Sequence, residues 1–256
     1  MINIKTSEEI EIMKVGGRIL AEVLTELLKN VRPGVSELEI DKLAEKLISE
    51  KGGQPAFKRV KGYKHTICVS VNDVVVHGIP GNYQFKEGDT VGIDCGVYYR
   101  GFNTDMAHTI KISNLKSQIS NGGDEVDKFL KTGKRALEEA IKMARVGNRI
   151  GHISKTIQEI IEKADYSVVQ NLVGHGVGRQ LHEEPEVPGF INRPILETPE
   201  LEVGMTIAIE VIYNQGKPEV ELGSDGWTIK SKDGSLSGLF ERTVVITDDG
   251  PVVLTS

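Results

Sequence analysis

The sequence predicts a pseudo-symmetric α/β domain in which one set of elements occurs twice. Three matches between the halves predict it. RPGVSELEI (32–40) matches RVGNRIGHI (145–153), each lying between one helical segment and the next. VVHGIP (75–80) matches VGHGVG (173–178), pairing His77 with His175. EGDTVGID (87–94) matches VGMTIAIE (203–210), pairing Gly88, Thr90 and Asp94 with Gly204, Thr206 and Glu210. Asp105 corresponds roughly to Glu241, each a few residues beyond a glycine, Gly101 or Gly238. Both copies run helix, helix, strand with His-Gly, strand with a central acid, strand with a second acid. Two such units suit an internally symmetric domain and are too few for a solenoid.

The elements follow from local signals. Thr6 to Glu9 has capping-box spacing, and Ile10, Met13, Leu20, Leu24 and Leu27 recur at mostly helical intervals, predicting a helix to about Asn30. Arg32-Pro33-Gly34 ends it. Ser36 to Glu39 is a second capping box, opening a helix that stops near Gly52. Residues 66–76 predict two strands around a turn at Asn72-Asp73, and residues 89–100 a further strand. Residues 113–125 are polar and contain glycine, which predicts a connecting loop; helices are expected at 126–145 and 151–164. The last ninety or so residues are β-rich, with turns at Asp225-Gly226 and Asp233-Gly234.

Composition excludes several function classes. A chain of 256 residues buries enough core to need no disulfide framework. Its only cysteines, Cys68 and Cys95, rule out a four-thiolate zinc site. A net charge of -6 speaks against general nucleic-acid binding. The acidic start, MINIKTSEEIEIM, does not read as a signal peptide, and no apolar stretch has the length of a membrane span. The expectation is a soluble cytoplasmic protein.

The unusual feature is the placing of Asp94, Asp105, Glu210 and Glu241 within apolar, strand-forming segments. One acid in a strand has ordinary explanations. Four at matched positions repel each other unless protons or cations neutralise them. Two divalent cations balance four carboxylates, and one imidazole completes an oxygen-rich, thiolate-free donor set that suits first-row metals. Paired metals of this kind activate water for hydrolysis. His77, His175 and His182 lie in the contexts VHGIP, GHGVG and QLHEEP and are the imidazole candidates. HEEP lacks the spacing of the HExxH zinc motif. His65, His108 and His152 have no such setting; His108 reads as a packing or surface residue, and His152 as exposed.

VNDVVVHGIP, the Asp94/Asp105 pair, RVGNRIGHIS, NLVGHGVGRQLHEEPEVP, GMTIAIE, DGWTIKSKDGSLSG and FERT span nearly the whole chain. Together they resemble the type I methionine aminopeptidases, of the pita-bread metallopeptidase fold shared with prolidase and creatinase. The resemblance implies an α+β architecture, with helices packed on a curved, largely antiparallel sheet. It implies a single catalytic domain over 1–256, its halves at about 1–112 and 126–256 joined by the 113–125 loop. The implied metal ligands are Asp94, Asp105, His175, Glu210 and Glu241, with Asp94 and Glu241 bridging two divalent ions (Co, Mn, Fe or Zn). Glu210 would move the proton, His77 and His182 would contact the substrate and its oxyanion, and Tyr63, Cys68 and Trp227 would line the side-chain pocket.

The implied reaction is removal of N-terminal methionine from nascent proteins and peptides with a free amino terminus, with a preference for a small second residue. The implied setting is a cytoplasmic monomer, with transient ribosome contact left open and neither nucleic acid nor membrane as partner. An X-Pro aminopeptidase or prolidase-like peptidase of the same fold is the near alternative, and a non-enzymatic peptide-binding protein the distant one. The chain departs from the family pattern at Val60, Leu181 and Arg242, and at Val211-Ile212. None of these removes an implied ligand, but Val60, Leu181 and Arg242 leave the side-chain preference and turnover open.

Overall fold

Two helices cover one face of an antiparallel sheet in each half of the chain, and the sheets' opposite faces turn toward a shared interior. The computed structural model describes residues 2–113 and 125–256, so the loop expected at 113–125 lies outside the described residues except at its two ends. The first half holds α1 (Ser7–Asn30), α2 (Glu37–Glu50), β1 (Gln54–Pro55), β2 (Ile67–Val71), β3 (Val74–Val76), β4 (Thr90–Tyr99) and β5 (Phe102–Lys111). The second holds α3 (Glu125–Met143), α4 (Ile150–Glu162), β6 (Ser167–Val168), β7 (Gly174–Gly176), β8 (Glu183–Val187), β9 (Thr206–Asn214), β10 (Val220–Leu222), β11 (Ile229–Ser231), β12 (Ser237–Thr247) and β13 (Gly250–Val253). Every pairing among the described strands is antiparallel, so the architecture is α+β.

The helices form where the sequence signals them. Thr6 Oγ1 accepts from Glu9 N while the Glu9 carboxylate accepts from Thr6 N, and Ser36 and Glu39 repeat the exchange on α2. His152, expected to be exposed, is instead half-buried: its Nδ1 accepts from Arg149 N at 2.9 Å and caps the first turn of α4. Leu20, Leu24, Ile40, Ala44 and Ile48 of α1 and α2 bury against Val69, Val91, Ile93, Cys95 and Val97. In the other half Ala136, Ala140, Ile153, Ile157 and Ile161 bury against Ile207, Ile209, Val211 and Phe240. Side chains alternate across a strand, so Asp94, Glu210 and Glu241 point away from the helices.

β4 and β5 form a hairpin through Arg100-Gly101, both with positive φ (46° and 99°), the conformation that a two-residue turn needs. β2 and β3 flank the expected Asn72-Asp73 turn yet pair elsewhere: β2 with β4, and β3 with β11. The small sheet β10-β11-β3 thus ties one half to the other.

The two main sheets meet where β5 lies beside β12, and two threonine hydroxyls join them. Thr243 Oγ1 accepts from Asp105 N at 2.9 Å and donates to Asp105 O at 2.8 Å. Thr109 Oγ1 does the same with Leu239 N and O, at 3.0 and 2.8 Å. This reciprocity aligns Asp105 with Leu239. Asp105 and Glu241, matched in the sequence repeat, therefore lie two positions out of strict register.

Thr243 is fully buried, so Thr243→Val strands an N–H and a carbonyl without water. The expected cost is about 1–3 kcal/mol in urea denaturation, with Thr243→Ser close to the parent. A valine variant as stable as the parent would show that the seam does not depend on the hydroxyl.

Candidate metal centre

The strand pattern delivers one acid per strand to the shared interior. Asp94 sits mid-β4, opposite Cys68 on β2, and Glu210 and Glu241 are direct partners across β9 and β12. Asp105 comes from β5, its backbone held by Thr243. Asp105 and Glu241 are 4% and 2% exposed, while Asp94 and Glu210 are half-buried and keep a surface toward the cavity. His175, from β7, is 8% exposed. One ligand atom each from Asp105, His175 and Glu241 lies within 4.8 Å of the others. His175 Nε2 is 3.4 Å from Glu210 Oε1, and the Asp94 and Asp105 carboxyls act on each other's protonation. The five candidate ligands therefore converge.

Without cations these carboxylates hold protons. Burial is the largest cause in every case. It pushes Asp94 up to about 7, and raises Asp105, Glu210 and Glu241 well above the usual carboxylate range. The neighbouring acids add repulsion at Asp105, Glu210 and Glu241. Burial also lowers His175 to about 4, so the ring is neutral at pH 7. Its Nδ1 lies 2.9 Å from Gly176 O; a carbonyl only accepts, so Nδ1 carries the hydrogen and Nε2 presents its lone pair inward.

The residues fit a divalent metal. Asp94 Oδ1 and Glu241 Oε1 are buried acceptors with no hydrogen-bond partner, which is costly unless a cation or proton meets them. They belong to the two residues expected to bridge a metal pair. The backbone is shaped to match: a Cβ at Gly176, next to His175, would stand 2.2 Å from Glu184 O.

A cavity of about 140 Å³ opens over these groups. His77, His182, Tyr63, Cys68 and Trp227 all line it, as expected from the sequence, together with Val60 and Leu181. His77 is not within a strand as expected; it follows β3, in a left-handed turn with φ 57°. Burial and the nearby His182 depress its pKa. The rings of His175 and His182 stand edge to face at 4.4 Å. Tyr63 donates to Ile67 O at 2.8 Å and meets Trp227 with the ring planes tilted and the centres 5.2 Å apart, forming an apolar wall. Burial keeps the Cys68 thiol protonated.

Phe57 and Val76 also line the cavity and were not anticipated, because nothing distinguishes them from core residues in sequence. Lys5 was missed as well. Its Nζ meets Glu183 at 2.6 Å in a buried pair and anchors the residue next to His182. Arg242 does not reach the cavity: it donates to Glu241 O at 2.7 Å and to Ala107 O at 3.2 Å, bracing the seam. His108 packs edge-on against Phe240, as a packing histidine should.

Residues 11–248 match the model of metallopeptidase family M24. A methionine aminopeptidase of Clostridium perfringens is 42% identical over 255 residues, covering 100% of this chain and 99% of the relative. The crystal structure of a methionine aminopeptidase from Thermotoga maritima superposes with a TM-score of 0.94 at 39% identity, covering 100% of both chains. A prolidase from Pyrococcus furiosus shares the fold at TM-score 0.77 and 24% identity, with 99% of this chain matching 65% of that one.

A carboxyl whose pKa is raised by folding binds more protons folded than unfolded between the two values, so stability falls as pH rises through that window. The metal-free protein is therefore expected to lose thermal stability from about pH 4 to about pH 7, the interval between the ordinary and folded values of Asp94. Metal affinity should rise over the same interval, because the ligands must shed protons. Asp94→Asn should gain stability at pH 8, on the order of 2 kcal/mol, and lose metal content. A pH-independent melting curve, or an Asp94→Asn protein that keeps its metal, would contradict the assignment.

Proposed function

The chain belongs to metallopeptidase family M24, and from that membership we infer that it is a metallo-aminopeptidase that removes methionine from the N-termini of peptides and nascent proteins. One observation carries the reading: four enclosed carboxylates and a neutral imidazole form the floor of a small, apolar-walled cavity.

In this reading Asp94, Asp105, His175, Glu210 and Glu241 hold two divalent ions, of which Mn, Fe, Co and Zn all suit the donor set. When bound, the ions supply Lewis-acid polarisation of the scissile carbonyl and a water acidic enough to attack it near neutral pH. Glu210 takes the proton of the attacking water and returns it to the leaving amine. His77 and His182 donate to the carbonyl oxygen as negative charge develops there. Phe57, Val60, Tyr63, Cys68, Leu181 and Trp227 surround an unbranched thioether side chain. The acidic floor favours a free amino group, which an acetylated terminus does not offer. A small second residue is the preference that goes with this reading.

The two halves serve as a single catalytic domain over 1–256. The setting we propose is the cytoplasm. Cys68 and Cys95 are both free and buried, and no described helix is long and apolar enough to cross a membrane. The enzyme would act there as a monomer on emerging chains, with any ribosome contact transient.

A panel of Met-Ala-Ser, Leu-Ala-Ser, Ala-Pro and acetyl-Met-Ala-Ser, assayed with several metals, tests the reading. Met-Ala-Ser alone should be cleaved efficiently. Cleavage of Ala-Pro but not Met-Ala-Ser would favour a prolidase-like enzyme, and no cleavage with metal bound would favour a binding protein. Glu210→Gln should lower kcat by about 10²–10⁴. His182→Ala should lower it by about 10²–10³ with metal content retained.

A further inference from the structure

Beyond the lip formed by Val60, Leu181 and His182, the cavity continues into a second depression of about 320 Å³. That volume is at the lower end of what holds a small ligand. Its charged lining residues are two cations, Arg59 and Arg179; burial holds His182 neutral, and the nearest acid, Glu9, meets Arg179 from outside the lining. The chain as a whole carries a net charge of -6, so this stretch of surface runs against the average.

The two guanidinium groups are held in place. Arg59 lies over the Tyr98 ring at 3.7 Å, an arrangement that leaves its N–H edge open to a carboxylate. Arg179 sits 4.9 Å from the Phe102 ring and pairs with Glu9. Asn103 fixes the segment beneath it, donating from Nδ2 to Gly178 O at 2.9 Å and to Arg179 O at 3.2 Å. A peptide whose first side chain fills the apolar cavity, with its first carbonyl near His182, must leave past that lip.

We propose that this depression is the subsite for residues beyond the cleaved bond, and that it favours peptides with acidic side chains at their third to fifth positions. The proposal rests on the aminopeptidase reading for its direction of chain travel. Arg59 and Arg179 recognise carboxylates, and Val60, Gln180 and Leu181 shape the passage between them.

The test compares Met-Ala-Ser-Glu-Glu with Met-Ala-Ser-Lys-Lys by kcat/KM. Exposed ion pairs contribute about 0.2–1 kcal/mol each, so two imply a preference of about two- to thirtyfold for the acidic peptide, mainly in KM. The preference should shrink at high salt. The double variant Arg59→Gln/Arg179→Gln should bring the ratio to about one, and Arg59→Glu/Arg179→Glu should reverse it. No preference in the parent, or a preference that survives both double variants, overturns the proposal. Should neither peptide be cleaved, the aminopeptidase reading fails; calorimetry with Ala-Ser-Glu-Glu and Ala-Ser-Lys-Lys on parent and charge-reversed protein still decides the groove. Equal binding of the two peptides there overturns it, and tighter acidic binding lost on reversal supports it.

Discussion

Four carboxylates confined to one enclosed space repel each other, and the rest of the molecule is arranged around that repulsion. Asp94, Asp105, Glu210 and Glu241 come from four different strands and would each be more stable in water. Burial raises their pKa values and the acids reinforce one another, so without cations the cluster is stable only with protons on it. Divalent cations held by the same residues would resolve the same conflict and would supply the chemistry of a metallopeptidase. Asp94 Oδ1 and Glu241 Oε1, buried without hydrogen-bond partners, mark where the conflict is sharpest.

The cost is borne by the surrounding scaffold. Each half stacks two helices on one sheet face and leaves the other face to the site, so most apolar burial lies behind the acids. The halves are then fastened at the seam by reciprocal threonine bonds, which hold Asp105 against β12 without a continuous backbone ladder. The small sheet β10-β11-β3 performs a similar task at the mouth. It places His77, just past β3, near Trp227, just before β11. The buried Lys5–Glu183 pair fixes the approach of His182 from a third direction.

Much of this was legible in the sequence because it rests on local rules. Capping boxes at Thr6 and Ser36 gave both helix starts, and Asp94 stood out because an acid interrupts a run of buried residues at strand spacing. The repeat linked it to Glu210, and the motif resemblance supplied His77, His182 and the cavity wall. What was hidden depends on contacts distant in sequence. Lys5 meets Glu183 only after folding, and β3 leaves its sequence neighbour β2 to pair with β11. His152 gave no sign that it caps its own helix. The two-residue offset between Asp105 and Glu241 was invisible because the second-acid strands share little sequence beyond a glycine and an acid.

Protons and divalent cations compete for the same buried carboxylates. Infrared spectroscopy of the carboxyl C=O stretch tests it most directly, recorded on metal-free protein near pH 6 and again after a divalent ion is added. A band from protonated, buried carboxylic acids should be present without metal and disappear when the ion binds. Absence of that band in the metal-free protein, or its survival with metal bound, would contradict the claim.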